Sequence, residues 1–318
     1  MISHWDEVEY GRRDSGHIGG EWASLTGDNS VTVGVTRMRI DPGKWSTPAH
    51  IESSEEEIFY VLAGSGISWQ EGECYEVGPG DCLVHWPGAH SHTLRASESG
   101  LDVLAFGERH SHSGARLPRA GVSWGLGAWV RTGAPEDHPW KLEAEAGEPE
   151  LSDPSPRPAR IVNVDEVEDP DPWTEEGYKV EWRNLGRAVG SERTGLRWVR
   201  VDPQNRHCPP HVHSAEEEIF VVLEGSGTLE LTPAPTAPIE EVEAAPVRAG
   251  SVVARPAGTR IAHSFIAGGD GLVLLAYGTR DPADVAYYPR SRKIYFRGVG
   301  VMTRVDPLDY WDGEVGQS

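Results

Sequence analysis

The chain contains two copies of one sequence pattern, and this internal repeat limits its fold to two similar units in tandem. Residues 50–66 align without a gap with residues 211–227, at an offset of 161 positions (211 minus 50), and both copies contain Glu-Glu-Glu-Ile-Phe. The similarity continues downstream, where residues 101–107 resemble residues 272–278. In a chain of 318 residues, a repeat of this length predicts two domains of ordinary size.

A segment rich in proline and glutamate separates the two copies. Residues 132–160 include the run Asp-Pro-Ser-Pro-Arg-Pro. Prolines at this density keep a chain extended and cannot donate the hydrogen bonds of a central strand. We therefore predict an N-terminal unit at 1–131, a linker without a folded element at 132–160 and a C-terminal unit at 161–318.

Each copy has the composition of an all-β domain. The chain contains 37 glycines and 24 prolines, its apolar runs are short, and no long amphipathic helical pattern is present. In the first copy we predict strands at 31–40, 57–62 and 80–85, with the second of them ended by Gly-Ser-Gly. The second copy has an additional loop at 232–246, which a hairpin tolerates at its tip.

Charge and cysteine content exclude several classes of partner. A formal net charge of -21 repels phosphate backbones, so we expect no nucleic-acid partner. No stretch approaches the ~20 apolar residues of a membrane span, and the first residues lack the apolar core of a signal peptide. Three cysteines without a CxxC pair are typical of free thiols in a reducing compartment, so we expect a cytoplasmic protein.

Four residues of the second copy have the chemistry and spacing of a metal site. His211 and His213 are two residues apart, so on a strand both imidazoles point to the same face. Glu218 follows at the start of the next predicted strand, and His263 comes after a later tight turn. Neighbouring strands lie only ~4.8 Å apart, so side chains from adjacent strands can converge on one ion.

This pattern resembles the two motifs of the cupin family, G-x5-H-x-H-x3-4-E-x6-G and G-x5-P-x-G-x2-H. The matching residues are His211, His213, Glu218 and Gly225 in the first motif, and Gly250, Pro256, Gly258 and His263 in the second. Asn205 stands where the leading glycine would be, and His263 lies two residues later than usual. The chain is similar to uncharacterised bacterial bicupins over almost its full length. The resemblance implies two tandem jelly-roll barrels and a divalent transition metal, with Fe, Mn, Ni, Cu and Zn as candidates.

The first copy departs from the pattern at one ligand. His50, Glu57 and His92 match, but Glu52 replaces the second histidine. One interpretation is a site with two histidines and two carboxylates, which would favour harder ions such as Mn or Fe. The other is a decayed site that remains only as scaffold. The neighbouring His90 is an alternative ligand.

Three histidines and one carboxylate leave coordination positions open, as catalytic sites require. The leading interpretation is a metal-dependent oxidoreductase, similar to a dioxygenase, acting on a small oxygenated organic molecule. A non-redox isomerase or hydrolase, and a binding protein for small ligands without turnover, are the alternatives. Two barrels in one chain imitate a dimer of single barrels, so both a monomer and a homodimer are expected states.

Overall fold

The computed structural model describes residues 2–110, 113–125, 128–130, 139–168 and 172–314. The strands up to the linker are β1 (Ile2–His4), β2 (Gly11–Ser15), β3 (Ile18–Ser24), β4 (Val33–Ile40), β5 (Ile51–Glu52), β6 (Glu57–Gln70), β7 (Glu73–Val77), β8 (Asp81–His85), β9 (His92–Glu108), β10 (Ala115–Leu117), β11 (Val122–Gly125) and β12 (Ala128–Val130). The remaining strands are β13 (Ile161–Asn163), β14 (Trp173–Glu175), β15 (Tyr178–Arg183), β16 (Thr194–Val201), β17 (Val212–His213), β18 (Glu218–Pro233), β19 (Glu243–Arg248), β20 (Ser251–Arg255), β21 (Ile261–Thr279), β22 (Val285–Tyr288), β23 (Lys293–Phe296) and β24 (Val301–Arg304). The helices are α1 (Pro139–Glu145) and α2 (Leu185–Ala188), with 3-10 turns at Gly27–Asn29, Val164–Glu166 and Arg297–Val299.

The strands form two jelly-roll barrels, which confirms the predicted fold class. The first barrel combines an eight-stranded sheet, in the order β13-β8-β6-β9-β4-β3-β2 with β7 beside β6, and the sheet β12-β11-β10-β5. The second repeats this plan with β1-β20-β18-β21-β16-β15-β14, with β19 beside β18, and the sheet β17-β22-β23-β24. In the described part of the chain, no helix has the length and apolar character needed to span a bilayer.

The structure differs from the expected strand ends at the glycines of the repeat. Strand β6 continues through Gly64 instead of ending there, with irregular register beside Val61 and Gly64. Gly64 has φ 79°, and a Cβ atom at this position would lie 2.1 Å from the carbonyl oxygen of Gly100. The glycine therefore permits a bulge within one long strand, because no other residue could approach the neighbouring backbone so closely.

The linker was expected to lack a folded element, and this prediction is wrong for its described part. Helix α1 lies within it and packs on the first barrel, where the rings of Trp140 and Trp22 have centroids 6.1 Å apart. Glu143 is fully buried and accepts a hydrogen bond from Arg119 at 2.9 Å. The residues between α1 and β13 form no helix or strand, as the proline content predicted. Residues 132–138 of the linker lie outside the described residues.

The barrels exchange their first strands within the chain. Strand β1 pairs with β20 of the second barrel, where Ile2 lies opposite Val253. Strand β13 pairs with β8 of the first barrel, where Ile161 lies opposite Leu83. The divisions at 131 and 161 remain a prediction, but the strand that opens each predicted domain belongs to the sheet of the other. Each exchanged strand covers an otherwise open sheet edge.

The two barrels also share one apolar cluster. It contains buried residues of both, among them Ile58, Ile219 and the ring pair of Phe106 and Tyr277, whose centroids are 5.1 Å apart. A continuous core of this kind resembles the interface of an obligate dimer rather than a contact between independent domains.

Two buried glutamates reach across this interface in opposite directions. Glu217 of the second barrel accepts hydrogen bonds from Ser30 Oγ at 2.6 Å, from the Val31 backbone nitrogen at 3.1 Å, and from Thr32 through its backbone nitrogen and Oγ1, both at 2.7 Å. Glu56 of the first barrel accepts from Ser191 Oγ at 2.7 Å and Thr194 Oγ1 at 2.5 Å. Each carboxylate accepts hydrogen bonds from a turn of the other barrel, so the packing follows a pseudo-twofold symmetry.

We expect Glu217→Ala to lower the free energy of unfolding by about 3 kcal/mol or more, because it leaves buried donors without an acceptor. Urea denaturation followed by tryptophan fluorescence measures this. The matched control is Glu224→Ala, at an exposed position of β18, the strand that Glu217 precedes, where a change within about 0.5 kcal/mol is expected. Equal stability of the two variants would contradict the role of Glu217 as the link between barrels.

Candidate metal centres

The strands of the second barrel bring the four predicted ligands to one point. His211 and His263 lie opposite each other in an antiparallel bridge, with backbone hydrogen bonds of 3.3 and 3.0 Å. His213 ends β17, so its side chain is on the same face as that of His211. Glu218 begins β18, which pairs with β21, the strand that carries His263. The convergence predicted from spacing is what the structure shows.

The donor atoms are spaced as ligands of one ion would be. Glu218 Oε2 lies 3.0 Å from His263 Nε2, 3.4 Å from His213 Nε2 and 3.9 Å from the Nε2 of His211. Ligands at about 2.1 Å from a metal are roughly 3.0–3.4 Å from each other in octahedral or tetrahedral geometry. The arrangement therefore has room for an ion between the four side chains.

Three of these donor atoms are buried without a hydrogen-bond partner among the described residues. They are Glu218 Oε2, His213 Nε2 and His263 Nε2. The contacts from Glu218 to the imidazoles are short, but their angles are not those of hydrogen bonds. Buried polar atoms without partners are costly, and a cluster of them around one point is the arrangement that a bound cation would satisfy. The residues present thus fit a divalent transition metal.

The outer nitrogens of two ligands are held by acceptors. His211 Nδ1 donates to the carbonyl oxygen of Pro209 at 2.9 Å, and His213 Nδ1 donates to Asp284 Oδ2 at 2.7 Å. These bonds orient the imidazoles so that each Nε2 faces the centre. The buried Asp284 is itself held by the backbone nitrogens of Ala215 and Glu216, at 2.9 and 3.1 Å.

Asp284 is the residue of this candidate site that sequence reasoning missed. It lies 71 positions after His213 and belongs to no motif. The one available signal was chemical, since histidines that bind metals usually donate their second N–H to a carboxylate or a carbonyl. The second copy contains several acidic residues that could have accepted this hydrogen bond, so the sequence does not distinguish Asp284 from the others.

Protonation in the second site is uneven. Burial lowers the pKa of His263 to about 3 and also lowers the pKa of His211, so both are neutral and can donate lone pairs at neutral pH. Burial opposes the charge of His213 too, but Glu218 and Asp284 outweigh it and raise the pKa of His213 to about 10. A metal ion would therefore displace a proton from His213 on binding.

The first barrel brings its four candidate ligands together differently. His50 and His92 form the equivalent bridge, but His92 Nε2 makes a hydrogen bond of 3.0 Å to Glu57 Oε2. His50 Nε2 lies 3.6 Å from Glu57 Oε2 and 3.7 Å from Glu52 Oε1. Among the described residues, none of these four side chains has a buried donor atom without a partner. Because His92 and Glu57 already form a hydrogen bond with each other, the first site fits a metal less well than the second site does.

The carboxylate in place of histidine changes the charge of the first site. Burial raises the pKa of Glu52 to about 7, with Glu57 adding to the effect and His50 opposing it. Burial opposes the charge of His50, but Glu57 and Glu52 outweigh it and raise its pKa to about 9. Both interpretations of this site, a mixed carboxylate centre and a scaffold, remain predictions. His90 is not part of it, since its Nδ1 contacts Glu71 at 3.1 Å on the surface.

The second site opens onto a cavity of substantial size. The cavity measures about 650 Å³, and its walls include the ligands His211, His213 and Glu218. This volume is typical of small-molecule sites. At the first barrel, α1 packs against Trp22, whereas the equivalent Trp182 lines the cavity of the second barrel. The linker helix therefore occupies space that is open in the second barrel.

Comparison with known proteins assigns the family. A family model described as Cupin domain matches residues 36–106, and one described as Cupin matches residues 182–296. The chain is a member of the cupin superfamily. It is a bicupin, with one cupin match in each barrel, and the jelly-roll fold agrees with this assignment. No curated protein matches the chain.

Solved structures similar to this bicupin include oxalate decarboxylase of Bacillus subtilis. Its structure at pH 4.6 has a TM-score of 0.60 and 17% identity, covering 90% of this chain and 78% of that one. A structure of the same enzyme from work on its Mn(II) centres has a TM-score of 0.58 and 18% identity, with the same coverage. A third structure of an oxalate decarboxylase, from work on the substrate binding mode and a reaction specificity switch, has a TM-score of 0.57 and 18% identity. At these identities the likeness shows the shared bicupin fold.

We expect Glu52→His to add one metal equivalent per chain, because it completes the three-histidine, one-glutamate set of the first barrel. Elemental mass spectrometry on protein purified without chelator or nickel resin measures the content. Glu76→His, at an exposed position of the same barrel, is the control and should leave it unchanged. Two equivalents already present in the unmodified chain would favour the mixed carboxylate centre instead.

We expect Asp284→Asn to weaken metal binding at the second site about 10- to 100-fold, since it removes the charged acceptor of His213. Competition with a chromophoric chelator measures the dissociation constant. Asp270→Asn removes an equal charge from an exposed position within β21 and serves as the control. Unchanged affinity in Asp284→Asn would show that the bond to His213 does not orient the ligand.

Proposed function

We propose that this bicupin is a metal-dependent oxidoreductase, similar to a dioxygenase, that acts on a small oxygenated organic molecule in its second barrel. His211, His213, Glu218 and His263 would hold a divalent Fe, Mn, Ni, Cu or Zn ion. The observation that carries the proposal is the group of buried donor atoms without partners, beside a cavity of about 650 Å³. A structural metal site is closed, whereas this one faces a space large enough for a substrate.

A redox-active ion at this point would supply electron transfer between substrate and dioxygen, and zinc would supply Lewis-acid polarisation. The similar oxalate decarboxylase contains Mn(II) centres, so Mn(II) is among the first ions to test. The protein itself contributes a fixed donor set, oriented by Pro209 and Asp284.

Residues next to the donors shape the reaction space. The Tyr288 ring stacks on His211 with centroids 5.5 Å apart and restrains that ligand. Burial raises the pKa of Tyr288 to about 12, with Cys208 and Glu218 adding to the effect, so its hydroxyl keeps its proton at neutral pH. It is therefore available as a hydrogen-bond donor to a bound substrate. Beneath the site, Phe220 and Phe265 pack at 4.9 Å and exclude water from the barrel interior.

The oxidoreductase proposal predicts oxygen uptake that depends on the second site. Metal-free protein reloaded with Fe(II), Mn(II), Ni(II), Cu(II) or Zn(II) is assayed with a panel of phenolic and keto-acid substrates. Uptake above background is expected with a redox-active ion. His263→Ala should abolish it, whereas His90→Ala, at a surface histidine of the other barrel, should retain it.

Other outcomes of this assay support the alternatives. Turnover with zinc and without oxygen would favour an isomerase or hydrolase. Saturable binding of small molecules without turnover, for every ion, would favour a ligand-binding bicupin. A cytoplasmic location, the absence of a nucleic-acid partner and a monomeric or homodimeric state remain predictions from the sequence.

A further inference from the structure

Two arginines line the cavity of the second barrel without an ion pair to any residue that the structure describes. Arg187 in α2 and Arg197 in β16 are exposed to the cavity. Within the described residues, neither guanidinium has an ion pair or a side-chain hydrogen bond to the protein, whereas the nearby Arg297 is paired with Glu216. Unpaired guanidinium groups facing a cavity are notable in a chain of net charge -21, where carboxylates are abundant.

Arg197 points into the barrel at the level of the metal ligands. It lies opposite Ala276 in β21, and Phe220 in β18 lies opposite the same alanine from the other side. The backbones of Arg197 and Phe220 are therefore two strand spacings apart, roughly 10 Å, with only a methyl group between them. Glu218 is two residues before Phe220 and shares its face. A bound molecule can thus contact the arginine and the metal ligands together.

The first barrel provides an internal comparison. Thr36 occupies the position of Arg197, since it lies opposite Ala105 in the same register. The 3-10 turn Gly27–Asn29, which corresponds to α2, contains no basic residue. Arginines are thus present in the barrel with the open cavity and absent at the equivalent places of the barrel that α1 covers. A role in the common fold would require them in both barrels, whereas a role in ligand binding requires them in one.

The remaining walls combine aromatic rings with polar groups, among them Glu168, Asn184 and Arg297. Trp182 packs edge-on against Trp173 at 4.9 Å and lies below Arg197, whose guanidinium carbon is 5.6 Å from its ring centroid. Phe220, Tyr288 and Tyr295 complete the aromatic lining. Aromatic walls favour a planar apolar body, and a molecule of only two carbons would leave most of the 650 Å³ to water.

We propose that the second barrel binds a planar aromatic monocarboxylate, with its carboxylate at Arg187 and Arg197 and its ring against Trp182. Arginine is suited to this task because its planar fork matches a carboxylate and stacks on aromatic rings. The metal donors lie on the opposite side of the bound ring. This assignment of the substrate class rests on the function proposed above, but its test does not require turnover.

The test is calorimetric binding of benzoate, salicylate and phenylacetate, each compared with its uncharged amide, to the metal-loaded protein. We expect the acids to bind more tightly than the amides. Arg197→Thr, which introduces the residue of the first barrel, should weaken acid binding at least about tenfold and leave amide binding and metal content unchanged. Arg187→Gln should act in the same direction. Arg200→Thr, on the outer face of β16 and beside Glu181, is the charge-matched control.

Equal affinity for acids and amides would overturn the proposal, as would undiminished acid binding by Arg197→Thr. Oxalate binding more tightly than every aromatic acid, or no saturable binding of any acid up to its solubility limit, would overturn it too. Arginine-dependent binding without oxygen uptake would uphold this inference and refute the oxidoreductase. Oxygen uptake with uncharged substrates alone would uphold the oxidoreductase and refute this inference.

Discussion

The exchange of buried carboxylates between the barrels is the interaction on which the rest of the structure depends. Glu217 immediately precedes β18, and the candidate ligand Glu218 is the first residue of that strand, so their side chains point in opposite directions. One enters the other barrel and the other enters the cavity. Any shift of β18 that loosened the interface would also move Glu218, because a strand transmits a change of register to every side chain along it. The interface and the site are therefore fixed together.

The pseudo-twofold symmetry makes the differences between the barrels informative. Both keep the strand plan, the exchanged edge strands and the interface glutamates, which are needed for folding. The first barrel has Glu52 where the second has His213, and Thr36 where the second has Arg197. Helix α1 packs on the first barrel. Each of these differences lies at a site or its entrance. The second barrel also has the additional loop at 232–246, which does not line this cavity, so the asymmetry is not confined to the candidate sites.

The repeat and the two motifs predicted the fold and the convergence of the four candidate ligands of the second site, because these depend on local spacing and strand periodicity. The sequence did not predict the contacts of the residues around those candidate ligands. In the run Glu216, Glu217, Glu218, the sequence singles out only the last, yet Glu216 pairs with Arg297 and Glu217 holds a turn of the other barrel. Those contacts depend on how distant strands come together. Helix α1 was missed because surrounding prolines masked a short helical segment whose stability comes from packing rather than propensity.

The exchange of β1 and β13 affects how this chain can fold and be divided. Residues 2–4 leave the ribosome long before their hydrogen-bonding partner β20, so the two strands are separated in synthesis by most of both barrels. Until β1 pairs with it, the edge of β20 is a ready template for pairing with another molecule. A cut in the linker would give two fragments, each carrying the missing edge strand of the other. Their recovery should then require mixing, as in fragment complementation, because neither barrel contains all of its own sheet.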